Sequence, residues 1–145
     1  MVYEQRSAHG LAVEGVTALV IIAVLLFLFS TSLWISIPQT SKIQLGDFII
    51  IILTALFIQR SEHLVSPLSA VTSLALHIDI KRTSAVIQGF LRFLSITVAY
   101  FSLKRTSINL LTMVLDYTNS HIIYDAVFIT LLLLHLYYTV KKLVR

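Results

Sequence analysis

Long apolar runs, interrupted by brief polar stretches, dominate the chain. From Leu11 to Ile37 only Glu14 and a few hydroxyl residues break the apolar pattern. At about 1.5 Å per residue, such a helix exceeds the ~30 Å of a bilayer core. Trp34 stands near its end, as interfacial anchors do. The run is long for a signal peptide and lacks a convincing small-residue cleavage site, so it is expected to be retained. Pro38 to Ser41 predicts a break, and Ile43 to Gln59 predicts a second span near the short limit for a crossing. Leu64 to Ile80 mixes apolar residues with Pro67, several Ser and Thr, His77 and Asp79, which predicts an interfacial helix. A fifth crossing is the rival reading. Ala85 to Leu103 predicts the third span, "TSINLLTMVLDY" a short amphipathic connector, and Ile122 to Val140 the fourth. The expected fold is an all-α integral membrane protein, a four-helix transmembrane bundle forming one membrane domain over 1–145.

Composition supports this reading. Of 145 residues, 57% are hydrophobic and 12% charged, and a water-soluble domain carries about twice that charged share. There is no cysteine, which removes disulfides, iron–sulfur clusters and thiolate metal sites. The net charge of +4 comes from short basic clusters beside apolar runs, a pattern that encodes membrane orientation and not nucleic-acid binding. With four crossings, Arg6, Arg60, Lys81, Arg82, Lys141, Lys142 and Arg145 share one side, and Lys42, Lys104 and Arg105 the other. The richer side is expected to be cytoplasmic. Both termini are therefore expected to face the cytoplasm, in a multi-pass protein of the cell membrane.

The few polar residues inside the spans fall on two stripes. Gln88, Arg92, Ser95, Ala99 and Ser102 share one helix face, as do His121, Asp125, Phe128, Leu132 and His135. An intramembrane charge almost always faces protein or a cavity, so both stripes are expected to face inward, toward each other. Plain packing through small residues and hydroxyls explains most members, and a neutral histidine bonded to a neighbouring helix explains His135. Arg92 is the exception. With each span centred in the bilayer, Arg92 lies about 3 Å to one side of the middle and Asp125 about 9 Å to the other. Glu14 lies more than about 10 Å from the centre on the cytoplasmic side, Asp47 at the outer end of its span, and "QRSEHLVSP" reads as a solvated helix end. No acid of the chain then matches the arginine in depth. Carbonyls, water, a bound anion, a lipid or another subunit's carboxylate are expected to meet its charge.

Catalytic and cofactor chemistry find little support. No glycine-rich phosphate loop or GxxxG face is present. Ser95 and His135 form the one formal nucleophile and base pair, with no motif around either. Haem b requires two histidines at matched depth on facing helices, and only His135 lies well inside a span. No metal site and no cofactor are expected, haem b being the alternative.

The chain length, the arginine in "GFLRFLSI" (Arg92), the acid early in the last span (Asp125) and the basic tail "KKLVR" resemble the PsiE-like family of small four-helix membrane proteins, which are associated with phosphate starvation. The resemblance covers the last two spans. It implies the four-crossing topology and no settled biochemical activity. The second span here lacks the acid that the resemblance leads one to expect, and 64–80 reads as an insertion. The expected function is that of a non-enzymatic accessory or assembly subunit of a larger membrane complex, or of a homo-oligomer. Its partners are the lipid bilayer and other membrane subunits or copies of itself. A small oligomeric anion channel or carrier running past Arg92 is the alternative. The site residues are Gln88, Arg92, Ser95, Asp125 and His135.

Overall fold

A computed structural model describes residues 2–31 and 45–144 as four helices. They are α1 (Val2–Ser30), α2 (Leu45–Leu76), α3 (Ile80–Leu111) and α4 (Tyr117–Val144). Each is long and apolar enough to cross a membrane. Trp34 and the expected break at Pro38 to Ser41 lie outside the described residues.

The two central helices differ most from the expected spans. No separate interfacial helix is present among the described residues: α2 runs unbroken through Pro67 to Leu76. Both α2 and α3 contain 32 residues, about 48 Å of helix and half as long again as a bilayer core. Serine hydroxyls in and just before 64–80 bond back onto carbonyls of the same helix. Ser61 Oγ lies 3.0 Å from the Phe57 carbonyl oxygen, Ser69 Oγ donates to Val65 O, and Ser73 Oγ donates to Ala70 O at 3.1 Å. Such back-bonding removes most of the polar cost of serine in an apolar helix. The connector is shorter than expected for the same reason, since α3 continues to Leu111 and leaves only a turn before α4.

His77 ends α2. Its φ of 54° is left-handed, and the Ile78 N–H donates to Ser73 O at 3.3 Å, the bond of a Schellman cap. Glycine occupies that conformation without a Cβ penalty. His77→Gly is therefore expected to stabilise the protein by about 1 kcal/mol, read as a raised midpoint in thermal unfolding of the detergent-solubilised protein. A lowered midpoint would mean that the imidazole holds the turn by a contact of its own.

The helices are antiparallel in chain order, with α1 on α2, α2 on α3 and α3 on α4. The start of α1 and the end of α4 therefore lie at one end of the array. Burial on α2 follows a seven-residue repeat with two faces. Ile50, Phe57 and Leu64 point to the apolar cluster with Leu19, Leu26 and Leu91, while Asp47, Thr54 and Ser61 form a buried polar row. That row meets Ser95, Ser102 and Thr106 of α3, which are also buried. Thr106 Oγ1 donates to Asp47 Oδ1 at 2.7 Å, and the hydroxyls of Ser61 and Ser95 lie 2.6 Å apart. Between membrane helices, small residues and cross-helix hydrogen bonds of this kind replace the hydrophobic effect as the attraction.

The array is open at α4, which packs against α3 with at most marginal contact elsewhere. Only 6% of its most apolar window is buried, compared with 28% in α2 and in α3. Two glycines set close approaches. A Cβ at Gly15 would come within 2.5 Å of Leu64 Cδ1, and one at Gly89 within 2.6 Å of Thr139 Cγ2. Asp116 caps α4 by accepting from the Asn119 N–H at 3.3 Å. The Asn119 side-chain amide also donates to Asp116 Oδ1, and that bond first, with the backbone N–H bond second, holds the carboxyl below the usual aspartate range.

Candidate functional site: a polar groove between α2 and α4

The antiparallel register carries the site. Ser61 opposite Ser95, and Asp47 opposite Thr106, bring residue 62 of α2 level with residue 92 of α3. Arg92 consequently has a partner within its own chain, contrary to expectation. Its Nε donates to Glu62 Oε1 at 2.7 Å, and Nη2 donates to Glu62 Oε2 at 3.4 Å. The two-point fork is the arrangement in which arginine holds a carboxylate most strongly. Glu62 reads as part of a solvated helix end only if α2 stops at Gln59. Because α2 continues for more than four further turns, Glu62 is an interior helix residue that faces α3.

The pair is far from sealed. The Arg92 side chain is 50% exposed and that of Glu62 44%. Both open on a groove of about 390 Å³ between α2 and α4, with α3 as its floor. Ile58, Ile96, Ala99, Phe128 and Leu131 make its apolar lining, and Ser95 and His135 complete it. His135 meets Arg92 in level, as its depth predicts. Its Nε2 lies 2.9 Å from the Gly89 carbonyl oxygen and 3.4 Å from Thr139 Oγ1, so the tautomer protonated at Nε2 donates to Gly89 and that nitrogen is committed to holding α4 on α3.

The expected polar stripes are met in part. On α4, His135 and Asp125 both turn toward α3, as expected. On α3 the stripe divides: Ser95 and Ser102 are buried, Ser95 against Ser61 of α2, and Arg92 reaches Glu62. Gln88 alone crosses to α4, accepting from Lys142 Nζ at 2.7 Å. Thus Arg92, Ser95 and His135 share the groove, and Gln88 lies beside Arg92 and His135 at its basic end.

Asp125 belongs to a second cluster. Its Oδ1 accepts from Tyr100 OH at 2.9 Å and from Lys104 Nζ at 3.2 Å, and Lys104 Nζ also donates to Tyr100 OH at 2.8 Å. The Tyr124 hydroxyl donates to the Tyr100 carbonyl at 2.6 Å, with the two rings stacked at 5.6 Å. Phe128 lies edge-on to Tyr100. Nearby, His121 Nε2 is buried without a hydrogen-bond partner among the described residues. The two ion pairs are 12 residues apart on α3, about 18 Å along its axis. Between their levels the four helices carry no charge except Arg60 of α2, close to the first pair.

Sequence reasoning did not find Glu62, Gly89, Tyr100, Lys104 or Lys142. Gly89 alone left a local signal, as a lone glycine inside an apolar helix marks a close approach. No group of three or more metal-ligating side chains is gathered among the described residues. Searches of family models, curated proteins and solved structures find no match to this chain.

Proposed function

We propose that the chain is a non-enzymatic, multi-pass subunit of the cell membrane, assembling with other membrane helices, copies of itself or another membrane chain, along the α2–α4 groove. One observation carries the reading: a bidentate ion pair, half exposed, in a groove whose remaining lining is apolar apart from Ser95 and His135. In lipid, neither charge is tolerated against hydrocarbon, and intramembrane ionisable groups face protein or water. A helix laid along the groove covers the pair and also the bare side of α4. Centring the bilayer between the two ion pairs puts each about 9 Å from the midplane, inside the hydrocarbon. The basic residues near the chain ends orient both termini toward the cytoplasm. The PsiE-like resemblance carried by Arg92 and Asp125 adds the same four-crossing topology. Anion conduction is less well supported, because Glu62 neutralises the arginine on which it depends.

Gently extracted protein is expected to show a native mass above that of one 16.3 kDa chain with its lipid, as a multiple of it or with a second subunit. A stable monomer carrying lipid alone would overturn the assembly reading.

A further inference from the structure

A different cleft opens where α3 begins and α4 ends. Lys81 and Arg82 of α3 and Lys142 of α4 converge on it, with Val86 and Leu143 as apolar walls and Asp79 as its one carboxylate. Asp79 is already engaged, since Oδ1 accepts from the Lys81 N–H at 3.3 Å as the N-cap of α3. Lys142 is oriented by its 2.7 Å bond to Gln88. Lys81 and Arg82 take part in no ion pair among the described residues. The volume is about 630 Å³, room for more than a bare anion. Val86 and Leu143 are 54% and 48% exposed, so apolar surface continues from the cations down the helix sides.

The geometry points to a binding site for one anionic phospholipid, its phosphate held by Lys81, Arg82 and Lys142 and its glycerol and the start of its acyl chains against Val86 and Leu143. Three cations from two helices give the cleft a positive charge that attracts a phosphate-bearing headgroup, and basic pockets between membrane helices on the cytoplasmic side are where such headgroups bind. A free phosphate shares the charge but not the apolar walls, and those favour the lipid. The site rests on the membrane location proposed above and is independent of the assembly groove.

The test is lipid titration of the detergent-purified full chain, read by native mass spectrometry. Dioleoyl phosphatidylglycerol, dioleoyl phosphatidylcholine and inorganic phosphate are the probes. The anionic lipid is expected to bind one per chain and more tightly than the zwitterionic one. Arg82→Gln or Lys142→Gln should weaken it about fivefold and the double variant about thirtyfold, at roughly one near-surface charge each. Arg105→Gln, at the other end of α3, should leave it unchanged. Equal affinity for both lipids, or undiminished binding in the double variant, overturns the site. Displacement by millimolar inorganic phosphate overturns the lipid assignment in favour of a soluble anion. If the double variant loses its helical circular dichroism, the single Lys142→Gln, at an exposed position, decides. Carbonate extraction of the membranes reads membrane location separately, so a failure of that premise is distinguishable from a failure of the site.

Discussion

Glu62→Gln is expected to destabilise the protein by about 2–4 kcal/mol, and adding Arg92→Gln to it should restore most of the loss. The single change leaves a guanidinium that cannot shed its proton in an apolar groove, whereas the double change leaves two neutral amides able to bond to each other. Denaturant or thermal unfolding in detergent or bicelles measures the cycle. The magnitude also decides where the pair resides. A pair this exposed, at 50% and 44%, would contribute less than about 1 kcal/mol in water. A small effect with no rescue would therefore put the groove in water and count against the membrane depth assigned to it.

Gly89→Leu is expected to have the second largest effect, releasing α4 from α3. Even the Cβ of alanine would come within 2.6 Å of Thr139 Cγ2, and leucine adds bulk that no rotation of Thr139 accommodates. Overpacking of this kind costs about 1–3 kcal/mol, and α4 has no second helix to hold it. The His135 bond to the Gly89 carbonyl should be lost at the same time. Gly89→Ala combined with Thr139→Ala should recover near-native stability, since the second change removes the methyl that obstructs the first. The check is proteolysis of the α3–α4 turn together with unfolding midpoints. A Gly89→Leu protein as stable as the parent would show that the close approach is not what holds α4.

The broad architecture was legible because apolar length is a strong signal: within the described residues, each of the four long apolar runs falls on a helix able to span a membrane. The helix ends were harder to read. Pro67 and the polar residues of 64–80 point to a separate interfacial helix, yet the hydroxyls of Ser69 and Ser73 turn back onto carbonyls of α2, and composition does not reveal that. The partner of Arg92 was missed for a related reason. Centring every apolar run at one level separates Glu62 from Arg92, but the α2–α3 register is set by buried polar contacts, Asp47 with Thr106 and Ser61 with Ser95, which carry Glu62 up to Arg92. Lys104 lies just beyond the expected third span, which ends at Leu103. One more turn of helix brings it to Asp125. His135 was the best anticipated of the site residues: a histidine bonded to a neighbouring helix, level with Arg92, is what the structure contains.

The polar pairing answers the question raised by Arg92 and replaces it with another. The arginine has its carboxylate, and what lies over the pair is the open matter. The chain has no cysteine, so one introduced cysteine reports its own surroundings. Leu131→Cys places a reporter on the groove, and Ile21→Cys one on the outer face of α1, where the native residue is 54% exposed. Each is labelled with a cysteine-linked photo-crosslinker in intact membranes and its adducts are identified by mass. The proposed assembly predicts that position 131 captures a second membrane polypeptide, this chain or another, while position 21 captures lipid. Lipid alone at both positions would contradict it.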